Sequence, residues 1–260
     1  AEVLVIDDFE YADAAAAQAA WQAAESSTPV EIMPRDVDGG KTALKFPCLY
    51  SDEKVNRAVY DRAVTLDLSA YGSIAFDFYS EDPKLVRNGT IYFHSENGWF
   101  GSGFSVAKGW KRVVIGRGSF GTEDTPTGWH KIDGIRICAW KSGNVDTVCA
   151  VDNLHARTED ILVVRGSSAQ AESRTAARAA EQMSEYISYY GVPHGVLAEE
   201  DVAAGGLPNC RLAILAYSPS MSDALADQLT RFVEAGGKIA VFYSTHPRVA
   251  ELLGLGPRTY

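Results

Sequence analysis

The sequence predicts two domains, an all-β sandwich followed by an α/β domain with a doubly wound parallel sheet. The first observation is length, because 260 residues exceed a single typical small core. The second is an alternation of apolar and polar residues throughout the first part of the chain. The third is a change near Arg157–Asp160, after which strand-like and helix-like segments alternate. We therefore place the domains at residues 1–157 and 158–260.

Six short segments of the first domain have the period-two pattern of half-buried strands, with Gly, Asn, Asp and Pro between them. They are SIAFDFYS, TIYFHS, GSGFSV, KRVVIG, GIRICAW and TVCAVDNL. This spacing predicts a sandwich of antiparallel sheets. The segment ADAAAAQAAWQAA looks helical by propensity alone. Inside a sandwich, the alternative is a loop with one short helix.

The second domain alternates four apolar segments with two helical segments. The strands are ILVVRG, VPHGVL, RLAILAY and KIAVFYS. The first helix is SSAQAESRTAARAAEQMSEYISYYG, ending at Gly191, and the second is SDALADQLTRFVEAGG, with Ser222 as N-cap. Strands that alternate with helices predict a parallel sheet. Because only four strands precede Tyr260, we expect the natural chain to continue beyond it.

Charge and hydropathy exclude two classes of partner. A net charge of −10 argues against nucleic acid, whose phosphates require Lys and Arg. No apolar run approaches the ~20 residues of a membrane helix. The chain starts AEVLVIDDFE without Met, which fits a secreted, periplasmic or cell-surface bacterial product cleaved after a small residue. An artificial start fits the same observation.

Two groups of segments resemble parts of bacterial proteins. VIDDFE with Trp21 downstream, TLDLSAYGSIAFDFYS, the strand Gly109 to Ile115, IDGIRI and AVDNL occur in the order found in galactose-binding-like jelly rolls of carbohydrate-binding modules. This resemblance covers about residues 3–156. RLAILAYSPSMS and FVEAGGKIAVFY resemble the glutamine-amidotransferase-like, flavodoxin-type domains attached to large glycoside hydrolases. The resemblance implies an ancillary region of a glycoside hydrolase-like protein, with a catalytic domain elsewhere.

A polar and aromatic face is predicted on the sandwich. In SIAFDFYS, the apolar set Ile74, Phe76 and Phe78 faces the core, so the residues between them face outward. The outward side chains of three such strands, with Trp99 at the rim, are Asp77, Tyr79, Tyr92, His94, Trp99, Arg136 and Trp140. Aromatic rings cover the C–H face of a pyranose and polar groups bind its hydroxyls, which predicts a polysaccharide or oligosaccharide ligand. The alternative is structural packing, with Arg136 and Asp77 as an ion pair between neighbouring strands.

A structural calcium ion is predicted between the two ends of the sandwich. Asp8 and Glu10 lie at the start of the chain, and Asp152 lies in the closing strand. Ca²⁺ binds about 6 to 8 oxygen ligands, and the first and last strands of such jelly rolls are neighbours. The loop DVDGGKT, residues 36–42, is a further source of a carbonyl ligand. The alternative is that these acids cap turns or remain solvated.

Cysteine spacing leaves two alternatives open. Cys138 and Cys149 flank a turn and are candidates for a cross-strand disulfide, although disulfide geometry is demanding. Otherwise all four cysteines act as small buried thiols.

No catalytic motif is visible in the sequence. Neither GxSxG nor GxCxG occurs, and His194 and His246 have no recognisable nucleophile partner. Three functions therefore remain: non-catalytic carbohydrate binding, glycoside hydrolase or carbohydrate esterase activity at the domain seam, and a structural or assembly module.

Overall fold

The structure is a computed structural model that describes residues 2–37, 40–167, 169, 171–190, 192–207 and 210–255. Its strands are β1 (Val3–Asp7), β2 (Gln22–Ala24), β3 (Glu31–Val37), β4 (Gly40–Cys48), β5 (Arg57–Leu66), β6 (Ser73–Ser80), β7 (Val86–Phe104), β8 (Gly109–Gly116), β9 (Gly121–Pro126), β10 (Ile132–Lys141), β11 (Thr147–Arg157), β12 (Ile161–Arg165), β13 (Gly195–Ala198), β14 (Leu212–Leu215) and β15 (Lys238–Val241). Its helices are α1 (Ala14–Ala20), α2 (Ser173–Tyr189), α3 (Glu199–Gly205), α4 (Asp223–Glu234) and α5 (Pro247–Leu252), with a 3₁₀ turn at Arg117–Ser119.

The first eleven strands form two antiparallel sheets, which confirms the predicted β-sandwich. The first sheet has the order β3-β4-β11-β6-β8, with β1 also paired to β11. The second sheet has the order β2-β5-β10-β7-β9. From β4 to β9 each successive strand changes sheet, so β6 belongs to the first sheet and β7 to the second.

The core of the sandwich lies between the two sheets. Ile74, Phe76 and Phe78 of β6 are buried there, as the alternation predicts. An aromatic cluster fills one end, where the Trp129 ring lies 4.5 Å from Phe100, 5.1 Å from Phe120 and 5.4 Å from Phe93 between ring centres. Burial of each large apolar side chain contributes roughly 1.5–3 kcal/mol.

Strand β7, which carries Tyr92 and His94, is longer than the sequence predicts. The sequence predicts two separate strands, TIYFHS and GSGFSV, but β7 runs without interruption through this segment. Glu96 adopts a left-handed φ of 54°, and this residue redirects the strand. Before Glu96, β7 pairs with β10, and from Glu96 onward it pairs with β9. The pairing with β10 before Glu96 and with β9 after it keeps the backbone extended. Trp99 therefore lies within the sheet.

The alanine-rich segment forms one short helix, as one of the two interpretations of the sequence predicted. Asp13 caps α1, because its side chain accepts a hydrogen bond of 2.8 Å from the Ala16 amide. The helix ends at Trp21, which is fully buried.

The remaining four strands form a parallel sheet in the order β13-β12-β14-β15. Helix α2 packs on the face that contains Val163 and Ile214, and α3, α4 and α5 pack on the face that contains Leu162 and Leu215. Ser222 caps α4 as predicted, since its Oγ accepts from the Leu225 amide. The predicted stop at Gly191 lies outside the described residues. Helices α3 and α5, of seven and six residues, were not predicted.

The sandwich and the parallel sheet are in direct contact. Sheet pairing changes from antiparallel to parallel between Arg157 and Ile161. A Cβ atom at Gly118 would lie 2.8 Å from the Val196 carbonyl oxygen, so the two backbones meet closely there. Of the helices that the structure describes, none has the length and apolarity needed to cross a membrane.

Candidate functional site

The predicted site residues divide between two opposite faces of the sandwich. Five of them lie on β7 and β10, in the second sheet: Tyr92, His94, Trp99, Arg136 and Trp140. Asp77 and Tyr79 lie on β6, in the first sheet. The prediction of one shared face is therefore wrong, and so is the alternative ion pair between Arg136 and Asp77, because the core separates the two sheets.

The aromatic part of the outer face of the second sheet is centred on Trp99. Its ring centre lies 4.5 Å from that of His94 and 6.2 Å from that of Tyr92, which meets it edge-on at 85°. Tyr92 covers Gly101, where an added Cβ would lie 2.5 Å from the tyrosine ring. His94 Nδ1 in turn lies 2.5 Å from the Asp133 carboxylate. These contacts hold Trp99 in a fixed, half-buried position.

A bidentate ion pair lies beside this aromatic group. Arg136 donates from Nε and Nη2 to the two carboxylate oxygens of Asp61, both at 2.7 Å. Hydrogen bonding to Asp61 raises the pKa of Arg136. The guanidinium carbon lies 5.0 Å from the centre of the Trp99 ring, within the range of a cation–π contact.

A second cation–aromatic pair occupies the other end of the same face. The Arg57 guanidinium lies 4.6 Å from the centre of the Trp140 ring, and it is paired with Glu25. Trp140 donates from its indole nitrogen to Thr90 Oγ1 at 3.0 Å.

A groove of about 460 Å³ opens between α1 and this face. It is lined by Ala19, Ala20, Gln22, Asp61, Arg62, Ala63, Trp99 and Arg136. The sequence reasoning missed Asp61. Ala58 and Tyr60 of β5 lie in the core, so alternation along this strand places Asp61 on the outer face. It also missed Gln22, because a strand of three residues gives no usable period.

Asp7 fixes the wall of this groove. This buried carboxylate accepts hydrogen bonds from the Trp21 indole at 2.8 Å and the Tyr11 hydroxyl at 2.6 Å, and it pairs with Arg62. Burial raises the pKa of Tyr11 to about 12, so Tyr11 stays protonated at neutral pH and donates to Asp7. Asp7 thereby joins β1, the end of α1 and β5.

The outer face of the first sheet carries a different cluster, built from paired charges. Arg35 pairs with Asp77 at 2.9 Å and also with Asp152, and Arg112 pairs with Asp77 at 2.5 Å. The Arg35 and Asp77 side chains are each only 8% exposed. Tyr79 packs against Trp110, the ring that Arg35 covers at 3.8 Å. These contacts make Asp77 part of a structural ion cluster, beside which Tyr79 packs.

The three predicted calcium ligands each contact protein groups. Glu10 accepts from the Lys41 and Thr42 amides, Asp8 accepts from the Glu10 amide, and Asp152 pairs with Arg35. Within the described part of the chain, no three His, Cys, Asp or Glu side chains form a group that could hold a metal ion. Residues 38 and 39 of the predicted loop lie outside the described residues. As arranged here, these residues do not fit a calcium site, and calcium binding stays a prediction.

Of the two alternatives for the cysteines, the structure has free thiols, with Cys48, Cys138 and Cys149 buried and Cys210 half-buried. Cys138 lies in the second sheet between Val59 and Thr90, whereas Cys149 lies in the first sheet. Cys149 neighbours Cys48, and their contact together with burial raises the pKa of the Cys149 thiol.

A second groove, of about 780 Å³, lies at the seam between the sandwich and the parallel sheet. On its α/β side, Ser184 Oγ lies 2.6 Å from His194 Nε2, and His194 Nδ1 lies 3.1 Å from the Val192 carbonyl oxygen. His194 therefore has a hydroxyl partner that the sequence did not reveal. His246 contacts Asp223 instead, at 3.2 Å.

No family model and no curated protein matches this chain. The similar solved structures include a family 11 carbohydrate-binding module from Clostridium thermocellum in complex with a β-1,3-1,4-mixed-linked tetrasaccharide. It is 18% identical, the match covers 60% of this chain and 95% of that chain, and the TM-score is 0.43.

Two further structures have comparable similarity. An exo-β-agarase is 10% identical over 61% of this chain and 25% of that chain, with a TM-score of 0.47. A family 28 carbohydrate-binding module specific for non-crystalline cellulose is 16% identical over 54% of this chain and 89% of that chain, with a TM-score of 0.38. At such low similarity, a function for this chain has to rest on its own side chains.

Proposed function

We propose that the outer face of the second sheet binds a carbohydrate without catalysis. The observation that carries this proposal is the groove in which the Trp99 ring lies beside the bidentate Arg136–Asp61 pair. An aromatic ring with fixed charged hydrogen-bonding groups at its edge is the combination that a pyranose requires.

The polar groups of the groove have hydrogen-bonding capacity left for a ligand. A guanidinium carries five N–H donors, and Asp61 receives two of them at 2.7 Å. Because Asp61 fixes the plane of Arg136, the remaining donors are directed before a ligand arrives, which lowers the entropy cost of binding. The exposed Gln22 amide adds a donor and an acceptor on the opposite wall.

The dimensions of the face favour an oligosaccharide or polysaccharide. A groove of about 460 Å³ falls in the range of roughly 300–1,000 Å³ for small-molecule sites. Beyond the groove, β10 continues past Arg136 to Trp140, where Arg57 and Thr90 supply further polar contacts. A longer sugar chain would follow this strand.

Affinity electrophoresis against plant, algal and host polysaccharides tests the proposal. We expect the wild-type chain to be retarded by one class of polymer, and Trp99→Ala and Arg136→Ala to lose this retardation while remaining folded. Tyr79→Ala is the matched control, because it removes an aromatic side chain from the opposite face. Unchanged retardation of both groove variants would show that this face is not the site.

We further propose two points. The first is that the α/β part is a flavodoxin-type, amidotransferase-like domain. The second is that the chain is an exported ancillary region of a glycoside hydrolase-like protein with a catalytic domain elsewhere. The strand order supports the first point: numbered within the sheet it is 2-1-3-4, which begins the flavodoxin order. Helix α2 on one face and α3 and α4 on the other agree with that topology. The natural full-length protein, purified from culture medium and assayed on the polymer that the sandwich retains, tests the second point.

A further inference from the structure

We propose that the seam between the two parts of the chain is an ester-hydrolysing site, with Ser184 as nucleophile and His194 as general base. This proposal does not depend on the sugar-binding face, which lies on the second sheet and shares no residue with this groove.

The hydrogen bonds assign the tautomer of His194. The Val192 carbonyl oxygen, 3.1 Å from Nδ1, can only accept, so Nδ1 carries the proton. In the neutral ring, Nε2 is then unprotonated and accepts from the Ser184 hydroxyl at 2.6 Å. A hydroxyl within hydrogen-bond reach of an imidazole, itself oriented by a third group, is the geometric signature of an activated nucleophile. Val192 is the positioning residue.

The groove gives a substrate access to this pair. Ser184 and His194 are both half-buried, and the groove beside them has a volume of about 780 Å³. Lys111, Arg112 and Arg157 line its sandwich side. Arg112 is paired with Asp77, and Arg157 lies 3.8 Å from Glu159, which lines the same groove. Lys111, whose Nζ donates to Ser105 Oγ at 2.8 Å, is therefore the cation that favours the negative charge developing on the carbonyl oxygen during acyl transfer. The chemistry of the site therefore fits a carboxylic ester.

The reaction proceeds in two balanced steps. Ser184 Oγ attacks the acyl carbon, its proton moves to His194 Nε2, the ester C–O bond breaks, and the alcohol leaves with that proton. Water then attacks the acyl carbon and transfers a proton to Nε2. The bond to Oγ breaks, the carboxylic acid leaves, and the proton returns to Ser184.

Covalent labelling with a fluorophosphonate tests the proposal on the intact chain. We expect one adduct per chain, mapped to Ser184 by peptide mass spectrometry, and none in Ser184→Ala. His194→Gln should slow labelling by about 10²–10⁴-fold, the usual contribution of a general base. Ser173→Ala is the matched control, because Ser173 lies on the same helix but does not line the groove, and its labelling rate should equal that of the wild type.

Hydrolysis of 4-nitrophenyl acetate gives a second readout, and it should follow the labelling rates across the same variants. A structural role alone, in which the Ser184–His194 bond fastens the chain after α2, predicts lower melting temperatures of the variants but no labelling of the wild type. That result, an adduct at another residue, or equal labelling in His194→Gln would overturn the proposal. Trp99→Ala should leave labelling unchanged, so failure of the sugar-binding proposal can be recognised separately.

Discussion

The Asp61 carboxylate holds the Arg136 guanidinium through two hydrogen bonds of 2.7 Å. The central carbon of this guanidinium lies 5.0 Å from the centre of the Trp99 ring. The three side chains come from β5, β10 and β7, which are neighbours in the second sheet. Under the proposed function Asp61 orients Arg136, and because the pair is partly exposed it should contribute little to stability.

Asp61→Ala should therefore reduce carbohydrate affinity far more than stability. We expect roughly a tenfold loss of affinity, because Arg136 loses its fixed plane, and a loss of less than about 1 kcal/mol in unfolding free energy, since the pair is partly exposed. Affinity electrophoresis and urea denaturation measure the two quantities. Glu31→Ala, which breaks the exposed pair with Lys45 on the first sheet, is the control. Equal losses of affinity in both variants would contradict the role of Asp61.

Arg35 should be the charged residue of the first sheet whose loss destabilises the chain strongly. Arg35→Leu leaves Asp152 without its ion pair and Asp77 with Arg112 alone, both in a largely buried cluster. Removing one partner from a buried ion pair costs about 3–5 kcal/mol. Denaturant unfolding should show a loss of this order in Arg35→Leu and less than about 1 kcal/mol in Lys45→Ala, whose pair with Glu31 is exposed. A small loss in Arg35→Leu would show that the cluster is not structural.

Stability should fall as the pH drops below about 6.5, the ordinary pKa of histidine. Burial, with the nearby Arg112 and Arg157, lowers the pKa of His155 in the folded chain, although the Asn153 carbonyl and Asp77 oppose this shift. Below pH 6.5 the unfolded chain then binds a proton at His155 that the folded chain does not. The contribution of neutral His155 to folding stability is therefore present above pH 6.5 and is lost as the pH falls below it. Urea unfolding between about pH 7.5 and 5 should show this slope, and His155→Asn should reduce it. An unchanged slope in the variant would exclude His155.

Gly118→Ala should weaken the junction between the sandwich and the parallel sheet. The new Cβ would lie 2.8 Å from the Val196 carbonyl oxygen, so one backbone has to move. Limited proteolysis should cut the variant faster between residues 157 and 161, with carbohydrate binding retained. Gly205→Ala has no atom within 4 Å of the new Cβ and should match the wild type. Wild-type resistance in Gly118→Ala would show that the contact is not close.

Calcium removal tests the predicted ion. Binding through Asp8, Glu10 and Asp152 requires Asp152 to leave Arg35. If these carboxylates are ligands, the melting temperature of the wild type should be several degrees higher in Ca²⁺ than in EDTA. Glu10→Gln should abolish this difference. Identical melting curves for the wild type in Ca²⁺ and EDTA would contradict the prediction.

Alternation in the sequence predicted which side chains of each strand are buried, but not which strands share a sheet. Phe76 and Phe93 both face the core as expected, yet β6 and β7 lie in opposite sheets. Alternation along a strand shows only whether a side chain faces the core or the solvent. It does not distinguish the two outer faces of a sandwich, so it groups Asp77 and Tyr79 with Tyr92. The same limit explains why the sequence left a Cys138–Cys149 disulfide open, although the two residues lie in different sheets.

Contacts formed by short or irregular segments had no sequence signal at all. Gln22 lies on a strand of three residues, and the bond between Ser184 and His194 depends on the chain folding back after α2. The long helices α2 and α4 and the cap at Ser222, by contrast, follow from local pattern and were found.

The indole ¹⁵N–¹H resonances of the five tryptophans provide the most direct test of the sugar-binding face. During titration with an oligosaccharide from the retained polymer, the Trp99 resonance should shift most, with a smaller shift for Trp140 on the same face. Trp110, on the opposite face, and Trp129, in the core, should remain unchanged. A saturable shift of Trp110 with Trp99 unmoved would place the ligand on the first sheet and contradict the account.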